Sequence, residues 1–284
     1  MIRNPQSESH DYTRRFQRCA VRLPEICSTL SGTTVEEMLA DASRATAAGA
    51  DLVEARLDML YVKEAVLEPN NTSDSRSKFK RNETSLIPRE VLDFDIDEVF
   101  SLLKAGIELP VVLTCRPIRQ GGHFPGTEDD RCTILKKAIE SGVSWIDLEM
   151  DIESSVREEL VSLAGDKTRI ISSEHYDREP ESDDEIVDKV REMSNHGDIV
   201  KLCYNSNGKR SGLKLFEAAW KLKDEGMDYT VMGIGSSGDW TRIHSPVLGI
   251  KIVYTSSEAD SRLTSSGRIN TTELTNAWQM LDYN

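Results

Sequence analysis

The repeating unit of this chain is clearest in Gly197-Asp198-Ile199-Val200-Lys201-Leu202, where a glycine is followed at once by a short apolar run. The stretch before it places Ile186, Val187, Val190 and Met193 on one helical face. A glycine just past a helix end adopts the left-handed conformation at little cost, and short apolar runs between helices are typical of buried parallel strands. This stretch therefore predicts a helix, a turn and a strand.

The same order of helix, glycine and strand recurs along the chain. It predicts strands after Gly49, Gly106, Gly142, Gly165, Gly197 and Gly226. A first strand from Glu25 to Leu30 and a last strand from Leu248 to Val253 bring the number to eight. Eight such units in 284 residues fit a single (β/α)8 TIM barrel better than an open, doubly wound sheet. The sequence has no P-loop motif, which removes support for a nucleotide-binding fold of that class.

Two segments do not follow this pattern. Residues 1–23 are predicted to be an N-terminal extension, and residues 24–284 to form the barrel as a single domain. Residues 63–95 contain a polar run without periodicity, which predicts a flexible insertion after the second strand, either a lid or an ordinary loop. Helix starts are predicted at Thr33 or Thr34 and at Ser182, each followed at capping-box spacing by a glutamate.

The composition disfavours several classes of function. A net charge of −14 argues against binding to nucleic acid, because contact with phosphates needs a basic face. The sequence has no apolar run of membrane-spanning length, and because Met1 to His10 lack an apolar stretch we expect no secretory signal. Its five cysteines are an odd number without CxxC spacing, so we predict free thiols in a reducing cytoplasm. An anionic substrate would need locally concentrated arginines.

Lys201 has two interpretations on its own sequence context. A lysine near a strand end can reach solvent or pair with a carboxylate. Alternatively, a lysine on a buried strand is desolvated, and a neutral, desolvated amine is a nucleophile for carbonyl carbon.

Charged residues stand at the carboxyl ends of several predicted strands, which meet at one mouth in a barrel. These residues are Glu54, Arg56, Arg116, Glu174, His175, Lys201, Arg242 and Arg268. Several arginines around one lysine, in an otherwise acidic protein, suggest a clamp for a carboxylate.

Five motifs make the chain resemble the type I 3-dehydroquinate dehydratases over about residues 24–282. They are Ile26 to Gly32, Ala48 to Asp58, Arg116 with Gly121-Gly122, Trp145-Ile146-Asp147-Leu148-Glu149, and Asp198-Ile199-Val200-Lys201. The resemblance implies a barrel, usually a homodimer, that dehydrates 3-dehydroquinate to 3-dehydroshikimate without a metal or organic cofactor. This reaction belongs to the shikimate pathway of aromatic amino acid biosynthesis.

The resemblance also implies roles for individual residues. Lys201 would form an imine with the substrate ketone. Glu54 and Arg56 would hold substrate hydroxyls, and Arg116 and Arg242 would bind the carboxylate and neighbouring oxygens. Thr29 stands where the family usually has a serine that contacts substrate.

Four positions depart from the family pattern. Counted from Ser172, Glu174 takes the place of the histidine in a Ser-x-His motif, and His175 follows one residue later. Gln120 stands where a glutamate is usual, and Thr264 and Arg268 replace a serine and a glutamine that bind substrate. We therefore consider both His175 and Glu174 as the proton shuttle, and we favour His175 because nearby arginines would keep a glutamate ionised.

Two other functions remain open at this point. The barrel could use Lys201 on another small, carboxylated keto substrate, as a different Schiff-base lyase or aldolase. It could also be a catalytically silent barrel that senses a metabolite, although a binding protein has no need of a buried amine.

Overall fold

A computed structural model of the chain describes residues 23–66, 84–91, 94–235, 238–256 and 269–283. Its main feature is a sheet of eight parallel strands with helices in the connections. The strands of this sheet are β1 (Glu25–Thr29), β2 (Leu52–Arg56), β5 (Val111–Thr114), β6 (Trp145–Glu149), β7 (Arg169–Tyr176), β8 (Ile199–Asn205), β9 (Tyr229–Ile234) and β10 (Ile252–Ser256). A separate pair consists of β3 (Val62–Val66) and β4 (Thr84–Pro88).

The helices of the described residues lie mostly between consecutive strands. They are α1 (Val35–Ala48), α2 (Ile96–Gly106), α3 (Glu128–Glu140), α4 (Ser154–Ala164), α5 (Asp183–Met193), α6 (Lys209–Leu222), α7 (Trp240–Ile243), α8 (Ser245–Leu248) and α9 (Thr271–Met280). None of these helices has the length and apolar character needed to cross a membrane.

The sheet curves into a nearly closed barrel. Its strand order is β10-β1-β2-β5-β6-β7-β8-β9, so the chain follows the sheet in sequence order apart from β10, which lies beside β1. Between β9 and β10, the Lys251 amide donates to the Tyr229 carbonyl at 3.0 Å, and the Thr230 hydroxyl donates to the Ile252 carbonyl. The prediction of a (β/α)8 barrel is confirmed.

The predicted strand after each of the six glycines is present, but the last strand is displaced. We predicted it from Leu248 to Val253, and it runs from Ile252 to Ser256. Pro246 stands in the first turn of a short helix that ends at Leu248. Gly249, with φ of 71°, then turns the chain into β10. The apolar residues before Gly249 therefore belong to a helix.

The predicted helix starts are also present. Thr34 caps α1 by accepting a hydrogen bond from the Glu37 amide at 3.2 Å. Ser182 caps α5 in the same way, through the Glu185 amide at 3.0 Å. In both cases the hydroxyl satisfies an amide that has no partner within the helix.

Side chains that face the barrel interior form layers, because alternate residues of a strand point the same way. The apolar layer contains Cys27, Leu52, Val112, Trp145, Ile171, Ile199 and Ile252, all buried. The polar layer lies two residues further along each of these strands and contains Thr29, Glu54, Thr114, Asp147, Ser173, Lys201 and Tyr254, also buried. The apolar layer therefore fills the lower part of the barrel, and the polar layer lies above it, towards the carboxyl ends of the strands.

The two ends of the predicted insertion are strands. β3 and β4 pair antiparallel, from Val62 opposite Pro88 to Val66 opposite Thr84. The turn before β3 brings Tyr61 edge-on to the rings of Phe94 and Phe124, with centroids 5.3 and 5.0 Å away. Residues 67–83 and 92–93 lie outside the described residues, as do 1–22, so the flexible insertion and the N-terminal extension stay predictions.

Candidate active site

A pocket of about 510 Å³ opens at the carboxyl ends of the barrel strands. Seven of the residues predicted to bind substrate or act in catalysis line it, namely Thr29, Glu54, Arg56, Arg116, His175, Lys201 and Arg242. Met232, Ile234 and Tyr254 supply apolar surface on one side. The described residues contain no cluster of histidine, cysteine or carboxylate groups suited to a metal ion.

Lys201 lies at the base of this pocket and is 3% exposed. Its Nζ donates to Glu54 Oε1 at 2.9 Å and to Asp147 Oδ2 at 3.1 Å. The same ammonium lies 3.9 Å from the centre of the Tyr254 ring, close enough for a cation–π contact. Two anions and an aromatic face therefore replace the water that a lysine normally keeps.

These neighbours determine the charge of the amine. Burial alone would lower the pKa of Lys201, but the carboxylates of Glu54 and Asp147 outweigh burial and raise the pKa above its ordinary value. The resting amine is therefore an ammonium. Of the two interpretations of Lys201, the structure therefore shows pairing with carboxylates and not a neutral resting amine. The sequence around Lys201 does not show the two carboxylates that strands β2 and β6 bring to it.

Glu54 accepts hydrogen bonds on both of its oxygens. Besides Lys201, Oε1 accepts from the Thr114 hydroxyl at 3.0 Å, and Oε2 accepts from the Thr29 hydroxyl at 2.9 Å. Burial would raise the pKa of this carboxyl, yet Lys201, Arg56 and Arg116 hold it well below its usual range. Glu54 is thus a fixed anion, with Thr29 beside it at the wall of the pocket.

Arg56 is held by a carboxylate two residues along the chain. Its Nε donates to Asp58 Oδ1 at 2.8 Å and its Nη2 donates to Asp58 Oδ2 at 2.6 Å. Asp58 is fully buried and also accepts from the backbone amides of Arg116 and His123. This one carboxylate therefore fixes the Arg56 fork and the loop that follows β5.

Arg116 lies between two further carboxylates. Nη2 donates to Asp147 Oδ2 at 2.8 Å, and Nε lies 3.2 Å from Glu149 Oε1. Behind Glu149, the buried Arg131 of α3 donates to Glu149 Oε2 at 2.5 Å. Gly122 packs against the Arg116 backbone so closely that a Cβ there would lie 2.1 Å from the Arg116 carbonyl oxygen. Position 122 must therefore be a glycine for the two backbone segments to lie this close.

Arg242 reaches the pocket from α7 and is 2% exposed. Its Nε donates to the Tyr254 carbonyl at 2.9 Å, and its Nη1 donates to the carbonyls of Gly233, at 2.7 Å, and Gly238. These bonds tie the loop after β9 to β10 and fix the direction of the guanidinium. The structure thus brings Arg56, Arg116 and Arg242 together around Lys201, as the strand ends predicted.

Comparisons with known proteins agree with this geometry. The family model for type I 3-dehydroquinase matches residues 26–284. The chain belongs to the type I 3-dehydroquinase family. This is a family of hydro-lyases.

Two curated relatives are named 3-dehydroquinate dehydratase. One, from Methanococcus vannielii, is 32% identical over 193 residues, which cover 65% of this chain and 85% of the relative. The other, from Methanococcoides burtonii, is 26% identical over 263 residues, which cover 91% and 95%. Among solved structures, the type I 3-dehydroquinate dehydratase of Clostridium difficile superposes with a TM-score of 0.71 at 22% identity, covering 91% of this chain and 92% of that one. This superposition supports the shared barrel fold.

The structure separates the two proton-shuttle candidates. His175 faces the pocket, where it contacts Arg116, and its amide donates to Gln120 Oε1 at 3.2 Å. Glu174 points to the other face of β7, towards α5, and pairs with Lys189 at 3.1 Å. Neighbouring residues of a strand face opposite sides. Glu174 is therefore not part of the pocket.

The same alternation corrects the comparison with the 3-dehydroquinase motif. Counting Ser-x-His from Ser172 puts Glu174 at the histidine position, but Ser173 is the serine that faces the barrel interior and donates to Asp147. Counted from Ser173, His175 takes the family's histidine position. Gln120, the replacement for the usual glutamate, lines the pocket with Oε1 at 3.4 Å from His175 Nδ1. An amide there keeps the contact and cannot ionise.

Two predicted binding residues, Thr264 and Arg268, lie outside the described residues, so their roles stay predictions. Four residues that the structure places at the site received no role from the sequence, namely Asp58, Asp147, Glu149 and Ser173. One signal was available for Asp147 and Glu149. A buried strand of alternating type, Trp145-Ile146-Asp147-Leu148-Glu149, places its two acids on the same face as Trp145, which points into the barrel.

Proposed function

We propose that this chain dehydrates 3-dehydroquinate to 3-dehydroshikimate through an imine on Lys201. The observation that carries the proposal is a buried lysine at the base of a pocket lined by three arginines, in a chain of the type I 3-dehydroquinase family. The reaction would serve the shikimate pathway and aromatic amino acid biosynthesis. A cytoplasmic location and a homodimer are part of the same proposal.

The imine explains why a lysine is needed. Lys201 first gives up a proton, and its amine then adds to the carbonyl carbon of the substrate ketone. The carbonyl oxygen leaves as water when the imine forms. The protonated imine withdraws electrons from the adjacent C–H bond, so that a modest base can remove this proton. Departure of the hydroxyl group then completes the double bond, and hydrolysis of the imine releases the product.

The other pocket residues position the substrate in this proposal. Arg116 and Arg242 bind the carboxylate and neighbouring oxygens, while Glu54, Arg56 and Thr29 contact hydroxyl groups. His175 transfers the protons, since it is the histidine that faces the pocket. Thr264 and Arg268 are proposed to complete the binding of substrate.

A direct assay tests the activity. Purified protein with 3-dehydroquinate is expected to produce the ultraviolet absorbance of a conjugated enone. Borohydride added with substrate is expected to attach the reduced ligand to the peptide that contains Lys201, as seen by mass spectrometry. Binding without turnover would favour the silent, metabolite-sensing barrel, and imine formation only with other keto acids would favour a different lyase or aldolase.

The arginine clamp gives a separate prediction. Lysine in place of Arg116 or Arg242 keeps the positive charge but loses the planar fork that binds a carboxylate through two parallel hydrogen bonds. We expect each substitution to weaken substrate binding by about 1.5–3 kcal/mol, the range for a hydrogen bond to a charged group. Steady-state kinetics and equilibrium titration with 3-dehydroquinate would measure the loss.

Arg119→Lys is the matched control, because Arg119 lies at the rim of the same pocket but is 45% exposed and paired with Asp151 and Glu128. We expect little change in this variant. If KM and kcat stayed normal in both Arg116→Lys and Arg242→Lys, these two residues would not be binding the carboxylate.

A further inference from the structure

Asp147 connects the lysine to one of the arginines through a single atom. The residue is fully buried on β6. Its Oδ2 accepts from Lys201 Nζ at 3.1 Å and from Arg116 Nη2 at 2.8 Å, while Oδ1 accepts from the Ser173 hydroxyl. Two cations therefore share one carboxylate oxygen, with a third donor fixing the other oxygen.

The second carboxylate beside Lys201 has different partners. Glu54 accepts from Lys201 and from the hydroxyls of Thr29 and Thr114, and it makes no hydrogen bond with Arg116. Of the two anions, Asp147 alone is bonded to both Lys201 and Arg116. A change in how Arg116 uses its N–H groups is therefore transmitted to Lys201 through Asp147, and the effect is reciprocal because the two cations compete for Oδ2.

We propose that Asp147 is a positioning residue that couples Arg116 to Lys201, holding the two cations at a fixed separation and controlling whether Lys201 keeps its proton. While Arg116 donates to Oδ2, it weakens the hold of Asp147 on the Lys201 ammonium, so that the lysine proton can leave before the amine attacks a ketone. Without this contact, Asp147 holds the ammonium more tightly. The bond between Arg116 and Asp147 thus prepares the nucleophile. The inference rests on the proposed roles of Lys201 and Arg116.

Other charged and titratable groups also face Lys201 and belong in the interpretation of its titration. They are Glu54 on β2, Arg116 after β5, Cys203 on β8, Cys27 on β1 and Tyr254 on β10. Burial and these groups are common to the wild type and to variants at Asp147. A comparison between such proteins therefore isolates the contribution of the Asp147 charge.

The test measures the protonation of Lys201 without any substrate. Formaldehyde with a borane reductant methylates only neutral amines, and mass spectrometry follows the labelling of each lysine across a range of pH. Exposed Lys167 serves as the internal standard. In Asp147→Asn we expect the midpoint for Lys201 to fall by about one pH unit, so that labelling at pH 8 is about tenfold faster than in the wild type.

Two more variants distinguish charge from packing. Asp147→Glu keeps the charge and is expected to return the midpoint towards that of the wild type. Arg116→Gln removes the competing cation and is expected to raise the midpoint, so that Lys201 is labelled more slowly. This arm also decides the matter if Asp147→Asn does not fold, as judged by circular dichroism.

An unchanged midpoint in folded Asp147→Asn, or a fall of the midpoint in Arg116→Gln, would overturn the coupling. Because the reagent needs no dehydratase activity, the result can be read even if 3-dehydroquinate proves not to be the substrate. Conversely, normal turnover of 3-dehydroquinate with no shift in any midpoint would leave the proposed function standing and remove only the role of Asp147.

Discussion

Lys201→Met is expected to abolish the dehydration of 3-dehydroquinate. Methionine fills about the same volume but offers no amine, so no imine can form. Removal of the nucleophile in a covalent mechanism costs up to about 10⁶-fold in rate, and we expect a loss of at least roughly 10⁴-fold here. The enone absorbance assay would measure the loss, and borohydride should no longer attach substrate to the protein.

The same substitution is expected to weaken the fold. It leaves Glu54 and Asp147 buried without the ammonium that lies 2.9 and 3.1 Å from them. Removing one partner of a buried ion pair typically costs about 3–5 kcal/mol. Urea unfolding followed by circular dichroism would measure the change in the free energy of unfolding, and activity must be assayed where the variant remains folded.

The stability difference between the two proteins should depend on pH. In the wild type, burial would raise the pKa of Glu54, but Lys201, Arg56 and Arg116 hold it well below the usual range. A carboxyl whose pKa is depressed on folding stabilises the protein above its unfolded pKa, and this contribution is lost as the pH falls towards the folded pKa. The difference is therefore expected to be complete at pH 7 and to narrow below about pH 4.

Lys189→Met is the matched control. Lys189 also pairs with a carboxylate, that of Glu174, but its side chain is 23% exposed and lies outside the barrel. We expect near-normal turnover and a stability change of less than about 1 kcal/mol, as for other solvent-exposed pairs. Normal turnover in folded Lys201→Met would rule out the imine mechanism, whatever the stability of the variant.

The barrel could be predicted because its determinants are local. A glycine after each amphipathic stretch and a short apolar run after each glycine are enough to place most strands. The last strand was misplaced because the apolar residues before Gly249 are equally compatible with a short helix, which Pro246 favours from its position in the first turn. The strands at the two ends of the insertion were missed because β3 and β4 pair with each other although residues 67–83 separate them in the sequence.

The partners of Lys201 could not be predicted in the same way. Glu54 lies 147 positions and Asp147 lies 54 positions from Lys201 in the sequence, and only the closure of the barrel brings them within 3.1 Å. These two carboxylates raise the pKa of Lys201, so the resting amine is an ammonium and not a neutral amine. The alternation of side chains along a strand, by contrast, can be predicted from sequence. Ser173 and His175 share one face of β7, which places Glu174 on the opposite face and outside the pocket.

His175→Ala is expected to lower kcat by roughly 10²–10⁴-fold while imine formation on Lys201 continues, because proton transfer by a positioned side chain contributes about that much. Imine formation and proton transfer use different residues, so their defects should separate. Borohydride should still attach substrate to Lys201 in this variant, and the enone should accumulate slowly. A fall in kcat without loss of trapping is the signature of a missing acid or base.

Glu174→Gln is the control on the same strand, one residue away and on the opposite face. It removes the carboxylate charge that pairs with partly exposed Lys189, so we expect turnover within a few fold of the wild type. The reverse ranking, with Glu174→Gln inactive and His175→Ala active, would require Glu174 to reach the pocket by reversing the face that β7 presents to it. Near-normal turnover in both single variants and in the double variant would mean that neither residue carries the protons, and would leave the deprotonation step to another group.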